Sequence, residues 1–139
     1  MKTKPTQRIV LCERGAAGEA PIQAALETAG IAAVRFHDPR ALVEDAARKP
    51  PDVVICDLAV GCREDLFMLE LLRRVAPDVP LILVASEESL VTQRLVQRLR
   101  PIYYMVEPVE ATELGEAVEA AVARRTRARR SRSIENPQA

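Results

Sequence analysis

The chain has 139 residues, 48% of them hydrophobic and 29% charged, which is the balance of one globular domain with its own core. Aromatic residues make up only 3% and there is no Trp, so the core must be aliphatic, and stacking platforms for single-stranded nucleic acid are disfavoured. The net charge is zero but uneven: residues 124–139 hold six Arg and one Glu, a surplus of +5 that leaves −5 on the residues before them.

In chain order, residues 1–7 read as an N-terminal extension without the apolar segment of a signal peptide. The apolar run 8–12 predicts a first strand ending at Cys12-Glu13. The next segment, Gly15-Ala16-Ala17-Gly18, lacks the Lys-Ser/Thr of a phosphate-cradling loop and is expected to be a flexible connection. Residues 21–29 predict a helix, with Pro21 in its first turn and Gly30 just past its end. A second strand over 32–36 is followed by His37, the only histidine, expected at the surface. A helix over 39–48 stops at Pro50-Pro51. The run 52–57 contains Val53-Val54-Ile55 and ends in Asp57, and a helix over 64–75 with Leu66, Met68, Leu69 and Leu72 stops before Pro77. A fourth strand over 80–85 leads to a helix over 89–99 that stops before Pro101. A fifth strand over 102–106 ends in Glu107-Pro108. The last helix starts near Thr112 and repeats Leu114, Val118 and Val122 at four-residue intervals, and residues 124–139 are expected to form a basic, flexible tail. No stretch approaches the roughly 18 apolar residues of a membrane span. The three cysteines, Cys12, Cys56 and Cys62, have neither a CxxC spacing nor a nearby His, and read as reduced thiols of a cytoplasmic protein.

Strict alternation of strand and helix predicts right-handed βαβ units in a doubly wound parallel sheet with helices on both faces. Central strands apolar on both sides suit that architecture. Ligands in such sheets sit outside the carboxyl ends of the strands. Here those ends carry Cys12, Glu13, Asp57, Ala85, Ser86 and Glu107. A carboxylate closing a buried strand serves packing poorly and suits a site.

Over residues 8–123 the chain resembles a response-regulator receiver domain. The segments that carry the resemblance are Leu26-Glu27-Thr28-Ala29-Gly30 with Val34 after it, Pro51-Asp52-Val53-Val54-Ile55-Cys56-Asp57-Leu58, and Pro80-Leu81-Ile82-Leu83-Val84-Ala85-Ser86. Pro108, followed by Leu114, Ala117, Val118 and Val122, completes them. The resemblance implies a flavodoxin-like five-stranded sheet of order 2-1-3-4-5. It implies Asp57 as the phosphoacceptor position, Glu13 as one of two Mg²⁺-holding acids, and Tyr104 as the switch aromatic. It also exposes departures. Cys12 takes the second acid's place, Ala85 takes the hydroxyl's place (Ser86 serves only if the register slips by one), Glu107 replaces a Lys, and Gly61 replaces a Pro.

The Lys-to-Glu change carries the most weight. Unit charges about 4 Å apart interact by about 4 kcal/mol at an effective dielectric near 20, so reversing the sign strongly disfavours a phosphoryl group on Asp57. Losing the hydroxyl removes a charge-assisted hydrogen bond of roughly 1.5–3 kcal/mol. Replacing an acid by Cys12 weakens a hard-cation site that wants oxygen ligands. Glu13, Asp57 and Glu107 either converge as an acidic pocket that recruits a cation, with Mg²⁺ on Glu13 and Asp57 as a weak option, or Glu107 turns outward and leaves a vestige. The expected function is a stand-alone receiver-like signalling module with a degenerate phosphorylation site. It is expected not to be an enzyme and to work through protein contact with a histidine kinase or downstream effector, with self-association as a homodimer through residues 89–123. Two alternatives stay open: a functional phosphorelay receiver phosphorylated on Asp57 by a histidine kinase, and a nucleic-acid-associated adaptor using the arginine-rich tail.

Overall fold

A computed structural model describes residues 7–14, 20–58, 63–86 and 89–135; the expectations for Gly15, Gly18, Gly61 and Cys62 lie outside them. Among the described residues, strands β1 (Ile9–Cys12), β2 (Val34–Phe36), β3 (Val53–Leu58), β4 (Leu81–Ala85) and β5 (Tyr103–Val106) alternate with five helices. These are α1 (Pro21–Thr28), α2 (Pro39–Arg48), α3 (Arg63–Val75), α4 (Leu90–Leu99) and α5 (Ala111–Glu135). The strands form one parallel sheet in the order β2-β1-β3-β4-β5.

Side chains alternate across a strand, so β1, β3, β4 and β5 each feed two cores. Ile9 and Leu11, Val53 and Ile55, Ile82 and Val84, and Met105 meet α1 and α5 through Ile22, Leu26, Leu114 and Val118. Val10 and Cys12, Val54, Cys56 and Leu58, and Leu81 and Leu83 meet α2, α3 and α4 through Leu42, Leu69, Leu72 and Leu99. All five residues of β4 are buried, and each fully buried aliphatic side chain contributes about 1.5–3 kcal/mol. The near-continuous apolar runs of β3 and β4 thus follow from helices covering both faces.

Local signals set the helix ends. Pro21 and Pro39 open α1 and α2, and the Asp38 carboxylate accepts the Arg40 N–H at 3.0 Å. Ser89 caps α4 by accepting the Thr92 N–H at 3.1 Å. Gly30 leaves α1 at φ 76°, a left-handed conformation that costs glycine little, with its N–H donating to Glu27 O at 3.0 Å.

The last helix runs on past Ala123. The basic segment is no separate tail: α5 continues through it to Glu135. Ala, Arg and Glu are strong helix formers, and a helix already nucleated by its docked half extends without a new nucleation cost. Arg125 is 8% exposed, and Arg129 pairs with Asp52 at 3.0 Å, so the extension is also tied to the body.

Candidate functional site at the carboxyl end of the sheet

Parallel pairing sets Cys12 beside Cys56, so Glu13 and Asp57 come one residue later on adjacent strands. Asp57 lies opposite Val84, which lies opposite Met105, while Ala85 sits between Leu58 and Val106. Glu107 follows the end of β5, its N–H donates to Ala85 O at 2.8 Å, and its bond to Pro108 is cis. Glu107 is therefore two strands across from Asp57 and two residues further along. Asp57 and Glu107 are both half-buried.

Glu13 is only 2% exposed and is committed locally. Its Oε2 accepts the Ile22 N–H at 2.8 Å and its Oε1 accepts the Gln23 N–H at 3.0 Å. The residue before α1 is Ala20, which offers no capping side chain, so Glu13 satisfies the free N–H groups of that helix from nine positions upstream. A carboxylate at a helix N-terminus also complements the helix dipole. The backbone reinforces the placement: Glu13 N–H donates to Phe36 O at 3.1 Å, and Arg35 donates to Glu13 O through Nη2 at 3.1 Å. Arg35 Nη1 also reaches Gln23 Oε1 at 2.8 Å.

The other expected positions are equally definite. Cys12 is buried in the core on the α2 and α3 side. Ala85 is 0% exposed and ends β4, while Ser86 lies beyond the strand, exposed, so the strand-end position carries no hydroxyl. Tyr104 is half-buried against the α4 side of the sheet, and its neighbour Tyr103 is exposed. His37 is exposed.

These residues do not suit a resident Mg²⁺. Such an ion takes near-octahedral oxygen ligation, usually through carboxylates and waters. Both Glu13 oxygens already accept backbone N–H groups, and the companion position is a buried thiol. Among the described residues no group of three or more His, Cys, Asp or Glu is placed to hold a metal ion. Glu13 thus serves α1, and among the described residues it does not join Asp57 and Glu107 in a metal-holding group. Sequence reading missed that use of Glu13, although the absence of a capping side chain at Ala20 was a usable signal.

Comparison with protein-family models finds no match, and comparison with curated protein sequences finds none. Solved structures do match. The signal receiver domain of a modulated diguanylate cyclase from Desulfovibrio desulfuricans is 22% identical, with a TM-score of 0.69 over 85% of this chain and 94% of that one. The receiver domain of a sensor histidine kinase from Pseudomonas aeruginosa, with a magnesium ion in its active-site cleft, is 18% identical, with a TM-score of 0.72 over 84% and 98%. A response regulator receiver domain from Clostridium thermocellum is 19% identical, with a TM-score of 0.72 over 86% and 97%. Together with the strand order, these matches establish that the chain has the fold of response-regulator receiver domains.

Proposed function

We propose that this protein is a signalling module of two-component type that acts by contact with a protein partner rather than as an aspartyl-phosphate switch. The observation that carries the reading is the engagement of both Glu13 oxygens by the first turn of α1. A phosphoryl group on Asp57 would also find no hydroxyl on Ala85, and Glu107 stands where the resemblance implies a Lys. The similar solved domains come from a sensor kinase and a diguanylate cyclase. By analogy, the partner here is a histidine kinase or a downstream effector. Residues 89–123 are the proposed docking face, supported by three exposed apolar side chains there: Leu90 at 65%, Tyr103 at 39% and Val106 at 37%.

The test is incubation with a small phosphodonor and Mg²⁺, followed by intact mass measurement. The expected result is no stable adduct. A stable gain of about 80 Da that disappears in Asp57→Asn would establish the second reading, a working phosphorelay receiver, which the half-buried Asp57 at the end of β3 favours. A nucleic-acid adaptor is a third reading, favoured by the exposed Arg124, Arg127 and Arg130 of α5. It requires salt-dependent binding to nonspecific DNA that is lost when these arginines become Gln.

A further inference from the structure

At the opposite end of the sheet, the amino ends of β4 and β5 and the far half of α5 enclose a cleft of about 240 Å³. Four arginines line it, Arg73 from α3, Arg100 at the end of α4, and Arg124 and Arg125 from α5, with Asp78 as the sole acid among the lining residues. Their balance leaves the cleft positive by three charges.

The arginines are fixed in different ways. Arg73 donates through Nε to Leu99 O at 2.7 Å, through Nη1 to Val79 O at 2.7 Å, and through Nη2 to Arg100 O at 2.8 Å. Desolvation by burial holds its guanidinium below the ordinary value, yet an arginine remains cationic at any physiological pH. Arg125 is buried in the wall. Arg100 and Arg124 are exposed, and among the described residues no carboxylate pairs with either. Arg100 also holds the left-handed conformation, φ 51° and ψ 57°, at the C-cap of α4, where a glycine would be less strained.

We propose that this cleft binds a diphosphate group, free as pyrophosphate or carried at the end of a nucleotide. Guanidinium groups match phosphate oxygens in charge and geometry. Near neutral pH a diphosphate carries about three negative charges, which balances the lining. The volume lies below the roughly 300–1,000 Å³ of pockets that enclose drug-sized organic ligands. No aromatic side chain lines it to stack a base, so a nucleotide would leave its base in solvent.

Titration calorimetry of the full chain with sodium pyrophosphate at constant ionic strength tests the assignment, with orthophosphate, ADP and a DNA duplex as parallel ligands. Saturable pyrophosphate binding is expected, weakened about tenfold or more in the double variant Arg100→Gly, Arg124→Gln. The glycine relieves the left-handed residue, so the thermal midpoint should not fall. If the double variant fails to fold, Arg124→Gln alone, on an exposed helical position, must still weaken binding. The pair Arg40→Gln, Arg94→Gln removes the same charge from exposed positions outside the cleft and should bind normally. Tighter binding of ADP than pyrophosphate identifies a nucleotide as the source, and the reverse identifies the free anion; either sustains the proposal. It is overturned by absence of saturable binding, by equal affinity for orthophosphate, or by equal weakening in the control pair. Tighter DNA binding that survives the double variant also overturns it, in favour of the outer face of α5.

Discussion

At the carboxyl end of the sheet stand three acids, Glu13, Asp57 and Glu107, with Arg35 bonded to the Glu13 carbonyl, and the most buried of the acids, Glu13, is tied to the first turn of α1. At the amino end the charged groups are mainly arginines, and the ties are divided. Arg73 closes on three carbonyls, the Arg8 side chain pairs with Asp45, and the Arg8 N–H donates to Asp52 at 2.8 Å. Arg100 and Arg124, by contrast, remain exposed at a cleft mouth without a carboxylate partner among the described residues. A charge at a strand end is thus informative only once its hydrogen bonds are known. The end that the fold nominates for chemistry holds an acid used for stability, and the end it does not nominate holds cations still available to a ligand.

The sharpest break in this contrast comes from Glu13. Glu13→Ala leaves two helix N–H groups buried without an acceptor and should cost about 3 kcal/mol in urea unfolding. Glu107→Gln, at a half-buried position with a free choice of solvent, should stay within about 0.5 kcal/mol of the parent. Equal losses would mean that both acids belong to one structural network. Arg73→Met comes next. It leaves three carbonyls at the junction of α3, α4 and β4 short of a donor, partly replaced by water, and should cost about 2 kcal/mol. Arg73→Lys should not restore it, since an ammonium lacks the planar fork that reaches three acceptors.

The smallest effect concerns Glu110, just before α5. Backbone N–H groups of Thr112 and Glu113 hold its carboxyl below the ordinary carboxylate value. A depressed folded value means that its contribution is present above the unfolded pKa of about 4.3 and is lost as pH falls through the lower folded value. The protection of the Thr112 and Glu113 amides, taken against their intrinsic exchange rate at each pH, should therefore fall only in that acid window, and Glu110→Gln should flatten the dependence. A fall near pH 6 would assign the effect to another group.

Much of the fold was legible in advance because it rests on local periodicity. Strands such as Val53–Leu58 are apolar on both faces and the helices carry apolar residues at three- and four-residue spacing, so element order and type follow from short windows. The α5 extension has an equally local reason: Ala and Arg favour helix, and the docked half already nucleates it.

Short-window patterns in the sequence set the alternating architecture and the residue types at the strand ends, Asp57, Ala85 and Glu107. How the charges are used follows from packing between elements distant in sequence. That packing carries Glu13 to the start of α1, Arg73 to carbonyls 26 and 27 residues away, and Arg129 to Asp52. Those pairings join residues distant in sequence, whose proximity depends on chain crossings and packing that short-window periodicity does not encode.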